Sequence, residues 1–144
     1  MHTEHLQNVR PSWVVFGWFV SVAVASLLLL AMNATGMVAD QSGGSAWTVV
    51  ALLVGFTLGG FLTGARAGAA PILHGVAMGL FSVVVWFAAN LLGTLLSATT
   101  WDHINPAIYA GGLLVQIVAA AVGARIGSRS GRGAIPSTEA HRPR

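Results

Sequence analysis

The chain has 144 residues, 55% of them hydrophobic and only 8% charged, with a mean hydropathy of +0.75. A soluble domain carries roughly 25% charged residues, so the composition excludes one and points to a single membrane domain. The net charge of +3 and pI near 11.2 reflect four carboxylates against seven basic residues, all arginine, so anionic lipid headgroups are the expected partner rather than nucleic acid.

Residues 1–12 read as a short segment ending at Arg10 and Pro11. Four apolar spans follow, at about 13–32, 47–65, 72–97 and 107–126, each near the roughly 20 residues that cross a bilayer. Span one is too long for the apolar core of a signal peptide, usually about 7–15 residues, and no small-x-small cleavage site follows it, so it is expected to be retained. Asn33-Ala34-Thr35 matches a glycosylation acceptor by chance. Span three is longer than needed and is expected to tilt or protrude. Pro11, Pro71 and Pro106 stand at helix starts, where a missing N–H does no harm. Trp13 suits one interfacial belt, and Trp47, Trp101 and Tyr109 suit the other. The basic, Gly/Pro/Ser-rich stretch 128–144 cannot bury enough apolar surface to fold alone and reads as a disordered tail.

Threading the spans puts every arginine on one side. Arg10 precedes the first, Arg66 joins the second to the third, and Arg125, Arg129, Arg132, Arg142 and Arg144 follow the midpoint of the fourth. The opposite loops hold only Asp40 and Asp102 as charged residues. Basic loops stay cytoplasmic, so both termini are expected inside. The absence of lysine beside abundant Ala, Gly and Arg suggests a GC-rich bacterial genome. The expected location is therefore a bacterial inner membrane.

The spans carry a repeated helix end. Gly64-Ala65-Arg66-Ala67-Gly68 matches Gly123-Ala124-Arg125-Ile126-Gly127, which aligns Gly60, Gly64 and Gly68 with Ala119, Gly123 and Gly127 and Thr57 with Gln116. This suggests two parallel-repeat hairpins. Small residues four apart share a helix face and let backbones approach closely, as lipid-embedded helices require. On that basis Gly55, Gly59, Gly60, Gly64, Gly68, Gly75, Gly79, Gly123 and Gly127 are expected to be packing positions in a compact four-helix bundle.

No charged residue lies in the middle of a span, although coupled carriers normally hold an intramembrane carboxylate. Ser21, Ser26, Thr57 and Ser82 can return their hydroxyls to the i−4 carbonyl. Asn90 and Gln116 are expected to face protein and bond across helices. His74, one turn into span three, reads as an interfacial histidine bonded to a carbonyl or water, with a headgroup contact beside Arg66 as the functional alternative. Arg66 and Arg125, at matching helix ends, suit either capping of terminal carbonyls or a headgroup or partner contact. Asp102-His103 is too small a group to be a coordination shell. No cysteine, phosphate loop, nucleophile–base pair or metal motif is present. Neither an enzyme nor a cofactor is expected.

The stretch from Gly59 to Gly68, followed by Ile72-Leu73-His74-Gly75 and Gly79, resembles a group of small bacterial four-helix membrane proteins of unknown function. They share a glycine-rich second helix, a short basic turn and a Leu-His-Gly opening of the third. The resemblance covers about 20 residues of one hairpin, and implies a multi-pass protein with no assigned activity. The sequence thus predicts an all-α integral protein serving as a structural, accessory or regulatory membrane component. The alternative is a small oligomeric channel or transporter using the glycine tracks, Asn90 and Gln116. Partners are expected to be the lipid bilayer and either a second copy or another membrane protein.

Overall fold

The computed structural model describes residues 9–37, 41–67, 70–95 and 106–132. Asp40, Gly68, Trp101, Asp102, His103, the end of span three at Ser97 and the tail beyond Arg132 lie outside them. The described residues form four helices: α1 (Pro11–Ala34), α2 (Gln41–Ala67), α3 (Pro71–Leu95) and α4 (Pro106–Arg132). All four are long and apolar enough to cross a membrane.

The helix ends follow from local chemistry. Pro11 opens α1, and the Arg10 carbonyl accepts from the Trp13 and Val14 N–H groups. The other end closes through Gly36 at φ +76°, with the Gly36 N–H donating to Asn33 and the Met37 N–H to Met32. That pair of bonds satisfies carbonyls a helix otherwise leaves open, and it needs a residue that tolerates positive φ. The Thr35 hydroxyl adds bonds to Ala31 and Met32. Pro71 and Pro106 likewise open α3 and α4.

Packing pairs give the relative directions. Glycines 55 and 59 of α2 meet Ala25 and Ser21 of α1 while Gly17 meets Thr63, so the numbering runs oppositely and the pair is antiparallel. Gly75 and Gly79 of α3 meet Ala121 and Ile117 of α4, again antiparallel. Gly60 and Gly64 meet Ala120 and Ala124, so α2 and α4 run parallel. Around the bundle the order is α1, α2, α4, α3, with α2 against α4 the most extensive contact.

The inside is built of small residues and the outside of large apolar ones. Ala51, Ala119, Ala120 and Ala124 are buried, with Phe56 and Met78 the largest side chains wholly enclosed. Phe16, Phe19, Leu27, Leu30, Val84, Phe87, Leu92, Leu95 and Leu114 are all exposed. Soluble proteins rarely expose contiguous apolar surface on that scale. A bundle surrounded by hydrocarbon does so at no cost, and its helices associate by close packing instead.

Two sequence expectations need correction. Helix α4 continues to Arg132, past the expected loss of structure at Ser128. The reason is support from α2: Ser128 is buried, and a Cβ on Gly131 would come within 2.7 Å of the Ala65 carbonyl. A segment unable to fold alone is ordered here by a neighbouring backbone. The repeat also has another register. Gly60 meets Ala120 where Gly123 meets Thr57, and Gly64 meets Ala124 where Gly127 meets Phe61. Gly60 and Gly64 are therefore the counterparts of Gly123 and Gly127, one turn from the alignment that the sequence suggests.

Candidate functional site

Two places bring together the polar residues singled out above: the arginine-bearing end of the bundle and a cleft between α3 and α4. At the first, the N-termini of α1 and α3 meet the C-termini of α2 and α4. His74 sits one turn into α3 and is fully buried. The Arg10 backbone N–H donates to its Nε2 (3.0 Å), and its Nδ1 lies 2.9 Å from the Ala70 carbonyl. Because an N–H can only donate and a carbonyl can only accept, the pair assigns one neutral tautomer, with the hydrogen on Nδ1. Ala70 itself is buried at φ +47° in the connection between α2 and α3, a conformation L-residues rarely adopt. Its carbonyl accepts from the His74 backbone N–H as well (3.2 Å). The ring thus ties the entry of α1 to the entry of α3, and both its nitrogens are spent on backbone. It offers nothing to a headgroup, which removes the headgroup contact considered for His74.

Arg66 and Arg125 are exposed, as is Arg129. Arg66 lies in the last turn of α2. Arg125 lies about two turns before the end of α4, so capping of α4's last carbonyls is corrected: its backbone carbonyl accepts from the Ser128 hydroxyl (2.9 Å) inside the helix. In the register of the α2–α4 contact the counterpart of Arg66 is Arg129. No carboxylate side chain occurs among the described residues, so their arginines have no ion-pair partners there.

Most intramembrane hydroxyls return to their own helices. Ser21 donates to Gly17 (2.8 Å), Thr63 to Gly59 (2.9 Å) and Ser82 to Met78 (3.3 Å). Thr63 is also 3.3 Å from the Trp13 carbonyl of α1, and the Trp18 indole N–H donates to Ser82 across to α3 (2.8 Å). The expected interhelical bond of Asn90 is not made: its amide donates to the Trp86 carbonyl of the same helix (2.8 Å). An Asn side chain is short enough to reach back one turn, which satisfies it without a neighbour. Thr57 contributes its backbone instead, its carbonyl lying against Gly123. Gln116 also makes no interhelical bond. Its Oε1 is sealed from water and has no hydrogen-bond partner, and the residue lines a cleft of about 210 Å³ with Ser82, Trp86 and Tyr109.

The packing glycines within the described residues all lie at helix contacts, where a Cβ would collide with a neighbouring helix. Sequence reasoning missed Gly17, whose Cβ would strike Thr63. The signal was present: Gly17, Ser21 and Ala25 repeat a small residue every fourth position of α1, and all three are buried. It also missed Gly131. No group of three or more metal-ligating side chains occurs among the described residues. No family model, curated protein or solved structure matches the chain.

Proposed function

We propose that this chain is an inner-membrane component of bacterial origin that acts through contact rather than transport or catalysis, as a structural, accessory or regulatory subunit. Both termini and the arginine-bearing end face the cytoplasm, where the arginines rest on anionic headgroups. The observation that carries this reading is the α2–α4 seam. Gly60, Gly64, Gly123 and Gly127 bring one backbone directly onto the other, which fills the bundle centre and leaves no conduit along that seam. The partial exception is the cleft at Gln116, which lies between α3 and α4 rather than at the centre. The one-sided distribution of arginine supports the orientation. The resemblance of the α2–α3 hairpin to small four-helix membrane proteins supports the general class.

Purification from native membranes with liposome reconstitution tests the function. The expected result is a stoichiometric membrane partner and no solute flux from the isolated chain. Flux from a purified oligomer, abolished by Gly64→Leu, would overturn it in favour of a small channel. In the same preparation, cysteines placed at Ser42 and Thr99 are expected to label from outside, and one at Ser130 only after permeabilisation.

A further inference from the structure

The cleft between α3 and α4 combines three features that packing alone does not explain. The first is Gln116. An amide removed from water without a hydrogen bond is costly, yet its Oε1 is sealed and unpartnered. The second is the wall. Trp86 and Tyr109 stand with ring centroids 5.3 Å apart and planes tilted by 49°, giving an aromatic surface beside the cleft. The third is space: about 210 Å³ is enclosed on part of its boundary, and a Cβ on the lining residue Gly112 would meet nothing within 4 Å.

These features restrict the occupant. A water molecule needs about two to four polar partners to be held in a buried site. Here Ser82 already accepts from Trp18 and donates to Met78, whereas Gln116 Oε1 is buried without a partner. A helix or a whole lipid is too large for this volume, whereas one aromatic ring with a short substituent fits. Aromatic walls favour such a ring beyond its buried area. Gln116 lies ten residues into α4, about 15 Å along its axis. That is about halfway through an apolar layer of roughly 30 Å, a depth reached from the lipid phase.

We propose that this cleft binds a lipid-soluble ligand with a hydroxylated aromatic ring, of the phenol or quinol kind. The ring lies against Trp86 and Tyr109, and its O–H donates to Gln116 Oε1. The Gln116 amide can present either end, since its terminal torsion has broad preferences. Gly112 keeps the space open, and Ser82 forms an inert part of the wall.

The test uses the full chain in lipid nanodiscs with 4-bromophenol, whose bromine quenches nearby indoles, and 4-bromoanisole, which has the same ring but no donor. Saturable quenching is expected for 4-bromophenol, with binding about tenfold tighter than for the anisole, a ratio in keeping with one buried hydrogen bond. Gln116→Leu is expected to erase the tenfold preference. Gly112→Leu, which fills the cleft without a backbone clash, is expected to abolish saturable quenching by both, and Trp86→Phe to remove most of the signal. Three results would each overturn the proposal: linear, equal quenching by the two compounds; saturation that survives Gly112→Leu; or a phenol preference that survives Gln116→Leu. Melting temperatures of the variants close to that of the parent show that a lost signal is not unfolding.

Discussion

At the scale of single residues, His74 shows how a titratable side chain can be committed entirely to architecture. Its two backbone bonds join segments 64 residues apart in the chain, and it is wholly enclosed. Replacing it with Leu keeps the bulk but removes the acceptor of the part-buried Arg10 N–H bond and the ring's bond to Ala70, each worth about 0.5–1.5 kcal/mol. His74→Leu is therefore expected to lower the melting temperature in detergent by several degrees, while Arg66→Gln, on an exposed side chain, leaves it unchanged. Scanning fluorimetry on the two variants decides the matter, and equal melting points would refute the structural role. The sequence showed that His74 was near a helix start, and that it could bond a carbonyl. It could not show the second bond, because that partner is the backbone of a residue remote in the chain. Asn90 and Gln116 make a similar contrast. Both read as polar residues needing a neighbour, yet one reaches its own helix and the other does not, a difference of side-chain length and local packing rather than polarity.

At the scale of the helix, glycine has opposite consequences at different places. Gly64 lies where a Cβ would strike the backbone of Ala124, whereas Gly112 has open space before it. Gly64→Ala should therefore force α2 from α4, while Gly112→Ala should gain about 0.8–1 kcal/mol from helix propensity alone. The expected outcome is a lower melting temperature for the first and a slightly higher one for the second. Leu62→Phe, on an exposed position, should be mild. A Gly64 variant as stable as the parent would show that the α2–α4 seam tolerates separation. The four helices and their glycine faces were legible in the sequence because hydropathy and a four-residue spacing are local signals. The register between α2 and α4 was not. With small residues at every fourth position, alignments one turn apart are equally regular, and the register appears only in the backbone contacts of Thr57, Phe61 and Ala120 with the opposing glycines.

At the scale of the whole molecule, the distribution of charge is as informative as the fold. Arg10, Arg66, Arg125 and Arg129 sit at the same end, and none has a carboxylate partner among the described residues. Exposed arginines suit phosphate, which the guanidinium fork can bind in bidentate fashion. Within the proposed orientation, each basic residue near an anionic surface contributes about 1 kcal/mol, or about fivefold in affinity. Arg66 and Arg129 are counterparts across the α2–α4 seam, with Arg125 one turn away on the same helix as Arg129. Replacing all three by Gln is therefore expected to weaken cardiolipin binding by about a hundredfold at low salt, and by much less at high salt, where exposed charges are screened. Removing Arg142 and Arg144 is expected to cost less, since two charges are lost rather than three. Native mass spectrometry across a cardiolipin titration provides the measurement, with the melting temperature as the check on folding. Unchanged lipid adducts in a stably folded triple variant would leave these arginines as orientation signals with no part in lipid recognition.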